Sequence, residues 1–253
     1  MKRFFIAAAL ATLGFAFATF PADNFWVEKD WKQWTAAECK KMLEDSPWAR
    51  RVLVENANNA SHLPSASRDA SSTDTVQGAQ NSGVGEINYF FQILSAEPIR
   101  HAYMREQELG TASAGMNATQ KKALDSKIEE LVKTTPPDVI ALHVIYKANR
   151  DGLSTMLVQA WQSLQAGSVP KDFILITDKG VHVVPNSFSI TQGTDYEFDI
   201  TFPRFLNGEP IFGAGAKSIK VQFLNPAMGD FGSEKKTFEF KLDKMTVDGK
   251  PVY

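Results

Sequence analysis

Histidine is the side chain best suited to acid–base chemistry near neutral pH, and this chain has four: His62, His101, His143 and His182. Their spacing is wide and matches no metal-ligand pattern, such as two histidines on one turn of a helix. His143 lies inside a continuous apolar segment, where a buried imidazole needs a partner and often acquires a shifted pKa. We favour structural or solvated roles for all four histidines, and His143 is the candidate catalytic residue if one of them acts chemically.

Three carboxylates, Asp195, Glu197 and Asp199, alternate along one predicted strand, so they share a face at a spacing of about 6–7 Å. A hard cation such as Ca²⁺ takes several oxygen ligands, which makes this set the candidate metal site. The alternative is the solvated face of an amphipathic strand whose opposite face is aromatic and aliphatic. We favour the alternative, and we expect no metal and no cofactor.

Covalent catalysis has no visible motif in this chain. No Gly-x-Ser-x-Gly segment is present, and the single cysteine, Cys39, falls on the apolar side of a predicted helix. The segment 213–217 lacks the full glycine, lysine and hydroxyl spacing of a phosphate-binding loop. The sequence therefore favours a binding function over an enzymatic one.

Tryptophan is concentrated near the N-terminus, where residues 24–55 hold four of the five indoles: Trp26, Trp31, Trp34 and Trp48. Exposed indoles stack on sugars and other apolar ligand faces, lie at membrane interfaces or anchor a partner. The alternative is that these rings pack into the folded body. Trp34 is placed to contact the start of the following helix, so the candidate binding residues are Trp26, Trp31 and Trp48.

Some of the helices and strands that position these residues can be predicted from the sequence. Thr35 and Glu38 form a capping box that begins a helix, and a short strand covers 51–55. Together they make a Trp-rich N-terminal arm at 19–55. Residues 56–85 carry no aromatic side chain and are rich in Ser, Ala, Asn, Asp and Gly, which predicts a flexible linker.

The hydrophobic pattern of the remaining chain changes once, from mixed helix and strand patterns before residue 169 to strand periodicity after it. Residues 86–168 alternate between apolar strands, at 87–95 and 139–146, and helices that begin near Pro98, Asn117 and Asp151. Residues 169–253 show strand periodicity with a tight hairpin at 178–180 and a β-bulge at 243–244. The fold class is α+β: a helix-and-sheet unit followed by a mostly antiparallel, sandwich-like β unit. The sequence leaves open whether the two units share one core.

The first residues have the layout of a secretory signal peptide. Lys2 and Arg3 precede an apolar run from Phe4 to Ala18, and Ala16 and Ala18 supply the small residues of a cleavage point. This run is shorter than the roughly 20 residues that cross a bilayer, although an uncleaved anchor is the alternative. We predict a signal peptide at 1–18, export to the periplasm or exterior, and no transmembrane span after cleavage.

Composition narrows the class of protein. An apolar content of 43% and one cysteine exclude a disordered chain and a disulfide scaffold. The net charge of −2 argues against a nucleic-acid partner, which would require a basic excess.

Several short motifs resemble those of a group of exported bacterial proteins of unknown function. They are Trp26-x4-Trp31-x2-Trp34, Asp45-Ser-Pro-Trp-Ala49, Ser95-Ala-x-Pro-Ile-Arg100 and Phe240-Lys-Leu-x-Lys-Met-x3-Gly249. The resemblance spans most of the chain after the leader and implies a bacterial protein with a signal peptide, but no activity. The leading hypothesis is a non-enzymatic exported protein that binds a ligand or an envelope protein. The alternative is an exported hydrolase with a site assembled from distant residues around His143.

Overall fold

The computed structural model of the chain describes residues 24–55, 85–113, 138–165, 173–190, 196–213, 215–228 and 231–253, and positions 117, 119, 120, 122 and 126. The predicted signal peptide and all of the predicted linker except Gly85 lie outside these residues. So do His62, Asp195 and the predicted unit boundary at 168/169.

The elements follow one another in an order that places helices before and between the first strands. In chain order they are α1 (Phe25–Glu28), a 3-10 turn (Trp31–Gln33), α2 (Ala36–Glu44), β1 (Ala49–Glu55), β2 (Glu86–Ile93), α3 (Glu97–Ser113), β3 (Val139–Ala148), α4 (Asp151–Gln165), β4 (Ile174–Thr177), β5 (His182–Val183), β6 (Ser187–Ile190), β7 (Glu197–Pro203), β8 (Phe205–Leu206), β9 (Glu209–Pro210), β10 (Ser218–Asn225), β11 (Glu234–Lys241), a second 3-10 turn (Leu242–Lys244), β12 (Thr246–Val247) and β13 (Lys250–Pro251).

The described strands form two larger antiparallel sheets. One has five strands in the order β1-β2-β3-β7-β6, and the other has four in the order β11-β10-β4-β5. The predicted α+β fold class with sandwich-like sheets is confirmed, and so is the N-terminal helical region.

The core lies between the two sheets. Phe91 on β2 contacts Phe223 and Phe238 of the four-stranded sheet, with ring centroids 5.0 Å and 4.5 Å apart. Helix α4 covers the part of the same sheet face near β7, where the ring of Trp161 lies 4.7 Å from that of Phe198. Aromatic side chains therefore dominate the interior, and each contributes a large buried apolar area.

The two predicted C-terminal units share this core. Strands β6 and β7, from the region predicted as a separate β unit, hydrogen-bond into the sheet that begins with β1 and β2. Strand β1 belongs to the predicted arm, yet it pairs with β2 along its whole length, from Ala49 opposite Gln92 to Glu55 opposite Glu86. Residues 49–55 are therefore part of the sheet.

Two local predictions have different outcomes. The hairpin at 178–180 is confirmed, because Gly180 takes a positive φ of 77° and the Thr177 amide donates to the Val181 carbonyl. The β-bulge at 243–244 is wrong. The chain makes the second 3-10 turn there instead, which returns Met245 to the core.

Helices α2 and α3 pack together on the outer face of the five-stranded sheet, at its β1–β2 end. The Gln92 side chain donates to the Leu43 carbonyl across 2.8 Å, and Arg105 on α3 donates to the Trp34 carbonyl across 2.9 Å. Within the described part of the chain, no helix is both long and apolar enough to cross a membrane.

Candidate functional site

A cleft of about 490 Å³ lies between the N-terminal turns and the first turn of α3. Trp26, Trp31 and Trp34 line it from the N-terminal side, and Pro98 and His101 line it from α3. We call it the aromatic cleft. Its volume is within the range of about 300–1,000 Å³ that is typical of small-molecule sites.

The local sequence builds the N-terminal wall of the aromatic cleft. The Asp30 carboxylate accepts a hydrogen bond from the Lys32 amide at 2.9 Å, which caps the 3-10 turn that carries Trp31. Next in the chain is the predicted capping box: the Thr35 hydroxyl accepts from the Glu38 amide at 3.2 Å, and the Glu38 carboxylate accepts from the Thr35 amide at 2.8 Å. These caps fix the chain direction on both sides of Trp34.

Glu38 also ties the cleft wall to a cation. Lys29 donates to the Glu38 carboxylate across 2.5 Å, and the Glu38 side chain is 2% exposed. Burial alone would raise the pKa of Glu38, but the bonds from Lys29 and Thr35 hold it below its ordinary value. The charge of Lys29 is therefore already neutralised within the protein.

Trp31 and His101 form the central contact of the aromatic cleft. Their rings are stacked, with centroids 4.8 Å apart and planes 10° apart. The His101 imidazole lies 3.4 Å from the Glu97 carboxylate one helical turn earlier, and burial lowers its pKa. His101 is consequently neutral at pH 7 and presents an uncharged aromatic surface next to Trp31.

The predicted binding tryptophans do not share one environment. Trp26 and Trp31 are half-buried and line the aromatic cleft. Trp48 is fully buried and donates its indole hydrogen to the Val252 carbonyl at 2.5 Å, so its assignment to a binding surface is corrected. It instead supports the cleft from beneath, because its ring meets Trp26 edge-on at 5.5 Å.

The charged groups that line the aromatic cleft are mostly acidic. Four carboxylates contribute: Glu28, Asp30, Glu97 and Asp248. All four side chains are exposed. Because Lys29 is paired with Glu38 and His101 is neutral at pH 7, the cleft has a negative potential at its rim.

His143 lies in a second polar cluster, on the outer face of the five-stranded sheet. It is opposite Gln92 on β2 and opposite Asp199 on β7, so the three side chains form one row across the strands. Its Nδ1 lies 2.7 Å from the Asp199 carboxylate, and its Nε2 lies 3.6 Å from that of Glu197. His143 is buried, with 8% of the residue exposed.

Tyr103 on α3 covers this histidine. Its ring meets His143 edge-on at 5.9 Å, and its hydroxyl donates to the Gln92 side-chain oxygen. Burial raises the pKa of Tyr103, and the negative charge of Glu197 adds to that effect, so the hydroxyl remains protonated and a donor.

A general base needs a ring nitrogen directed at the proton that it removes. Among the described residues, the hydrogen-bond and ion-pair partners of His143 are both carboxylates, one toward each nitrogen.

Glu197 and Asp199 do share a face, as predicted, but they flank an imidazole. In the described part of the chain no group of three or more His, Cys, Asp or Glu side chains is arranged to hold a metal ion.

Sequence reasoning missed His101 and Glu97 as members of the aromatic cleft. The sequence places His101 on the polar side of a helix, and its stacking partner Trp31 is 70 positions earlier. No spacing rule connects two residues that far apart, so only the packing of α3 against the N-terminal turns reveals the contact.

No family model and no curated relative matches this chain. Among solved structures it is similar to a novel protein of unknown function from Burkholderia pseudomallei. That similarity covers 59% of this chain and 73% of the other, with 8% sequence identity and a TM-score of 0.38. A likeness at this level carries no functional argument, so the resemblance to exported bacterial proteins stays a prediction and function rests on the site itself.

Proposed function

We propose that this chain is an exported, non-enzymatic protein that binds a small ligand in the aromatic cleft. One observation carries the proposal: a cleft of about 490 Å³ whose wall includes the half-buried indoles of Trp26 and Trp31, with His101 stacked on Trp31. Ligand sites are typically lined by aromatic side chains, which offer a flat apolar surface and lose little conformational entropy when they are fixed. The leader at 1–18 motivates export to the periplasm or exterior.

The geometry favours binding because the cleft walls are already fixed without a ligand. Trp31 is held by the capped 3-10 turn and by His101, while Trp26 rests edge-on against Phe25 and Trp48. A preorganised wall loses little side-chain entropy when a ligand binds. The hydrolase alternative around His143 stays a prediction. It is the less favoured one, because Asp199, Glu197 and Tyr103 surround that ring.

A binding screen tests the proposal. The protein is recovered from the exported fraction, where mass spectrometry should find an N-terminus at Thr19; an intact Met1 would contradict the leader assignment. Anionic, neutral and cationic small molecules are then titrated, with binding followed by calorimetry. We expect at least one compound to bind, and Trp31→Ala to weaken it about tenfold or more.

The matched control for this screen is Phe205→Ala. Phe205 is 45% exposed on β8 and lies outside the aromatic cleft, so its removal deletes an aromatic ring that does not line the site. Binding in this variant should equal that of the unmodified protein. The proposal fails if no compound of any charge class binds, or if Phe205→Ala weakens binding as much as Trp31→Ala.

A further inference from the structure

The aromatic cleft combines two features that act on the same kind of ligand. Its wall contains the indole rings of Trp26 and Trp31, and its rim contains the carboxylates of Glu28, Glu97 and Asp248. Ring faces attract cations through their quadrupole, and carboxylates raise the local concentration of cations. A neutral or anionic ligand would use only the first feature or be repelled by the second.

The positive groups near the cleft do not cancel this preference. Lys29 is bonded to the buried Glu38 carboxylate at 2.5 Å, so its charge is already matched. His101 is packed flat against Trp31, which leaves its ring as part of the wall. The carboxylates are exposed and line the cleft, so they make the potential at its rim negative.

The protein itself already places a cation on one of these rings. The Lys32 ammonium lies 5.4 Å from the centroid of Trp31, within the distance of about 6 Å that defines a cation–π contact. Lys32 is exposed and belongs to the same short turn, so its side chain can leave the ring without disturbing the cleft wall. This contact shows that the indole of Trp31 interacts with a positive group.

We infer that the ligand of the aromatic cleft is a small organic cation with an alkylated ammonium group, bound against the Trp26 and Trp31 rings beneath the acidic rim. The inference rests on the proposed function and specifies its ligand class. An alkylated ammonium is weakly hydrated and makes few hydrogen bonds, which suits a wall that contains aromatic rings. Lys32 is then an internal competitor for the Trp31 ring.

Choline is the probe that tests this inference, and its uncharged carbon isostere, 3,3-dimethylbutan-1-ol, is the reference compound. Both are titrated into the exported protein by calorimetry at low ionic strength. We expect choline to bind about tenfold or more tightly than the isostere. We also expect Glu97→Gln to weaken choline binding severalfold, with raised salt acting in the same direction.

Lys32→Gln separates this inference from a general structural effect. Removing the internal cation should increase choline affinity about two- to fivefold, a gain that a purely structural lysine would not produce. Lys235→Gln is the control, because it removes an exposed charge on β11, outside the cleft, and should leave affinity nearly unchanged.

Two failures are distinguishable. If the isostere or an anionic compound binds the cleft as well as choline does, the cationic ligand class is wrong while the binding function stands. A decrease in choline affinity in Lys32→Gln would likewise overturn the ligand class alone. If no compound of any class binds, the proposed function itself is wrong.

Discussion

The aromatic residues of the N-terminal segment fall into two layers with different roles. Phe25, Trp34 and Trp48 are almost fully buried and belong to the hydrophobic core, whereas Trp26 and Trp31 are half-buried and line the cleft. The two layers touch, since the Trp26 ring meets both Phe25 and Trp48 edge-on. A cluster that is uniform in composition thus divides into a supporting layer and a binding layer.

This difference shows why a local excess of tryptophan is a poor guide to function by itself. Ring type is the same in both layers, and only exposure separates a residue that stabilises from one that can contact a ligand. Three experiments test the separation, and they are described from the largest expected effect to the smallest.

Trp48→Ala should lower the free energy of unfolding by about 3–5 kcal/mol, because it leaves a large cavity and an unpaired Val252 carbonyl. Trp26→Ala, in the binding layer, should cost about 1–2 kcal/mol, since that ring is already partly solvated. Urea denaturation followed by circular dichroism measures both. Trp48→Phe, which keeps most of the volume and removes the donor, should fall between them. Equal losses for Trp48→Ala and Trp26→Ala would remove the distinction between the layers.

Glu38→Gln tests the ion pair between Glu38 and Lys29 in the cleft wall, and should cost about 1–3 kcal/mol at pH 7. The folded-state pKa of Glu38 is held below its ordinary value of 4.5, so its stabilising contribution is complete above that pH and is lost as the pH falls through the folded-state pKa. The difference between the unmodified protein and Glu38→Gln should therefore shrink below pH 4.5. Urea titrations at several pH values measure it.

Glu239→Gln is the control for that pH series. Glu239 is exposed on β11, so its substitution should change stability little at any of these pH values. A Glu38→Gln effect that stays constant down to about pH 3 would contradict the assigned ion pair.

His101 should give the smallest effect, below about 1 kcal/mol. Burial lowers its pKa from 6.5 in the folded protein, so below that pH the unfolded chain binds the proton more readily and stability decreases. His101→Gln should remove this part of the decrease between about pH 7 and pH 5. Thermal melts across that range measure it, and an unchanged pH slope in His101→Gln would show that the imidazole does not lie buried against Trp31.

Features coded by neighbouring residues are predictable from the sequence. The capping box of Thr35 and Glu38 depends on a spacing of three residues, and the hairpin at Gly180 depends on one tight turn; the structure contains both. The slip of alternation at 243–244 is visible in the sequence but does not identify the element, because any single inserted residue gives that pattern, whether the chain forms a bulge or a 3-10 turn.

Features that depend on distant residues are not predictable in this way. Whether Trp48 is buried depends on Val252, and whether Trp31 belongs to a cleft depends on His101. The sequence indicates that His143 needs a partner, but its pairing with Asp199 follows from the register of β3 against β7. Residue type suggests the chemistry in each case, and long-range packing decides whether that chemistry is available.

The bond from Trp48 to the Val252 carbonyl has a consequence for biosynthesis. The two residues are 204 positions apart. At a synthesis rate of about 5–20 residues per second, Val252 is therefore made roughly 10–40 s after Trp48. During that interval the hydrophobic core around Trp48 is incomplete. The part of the core around Trp48 therefore reaches its final contacts only after Val252 has been made, so early folding of this region must proceed without that bond.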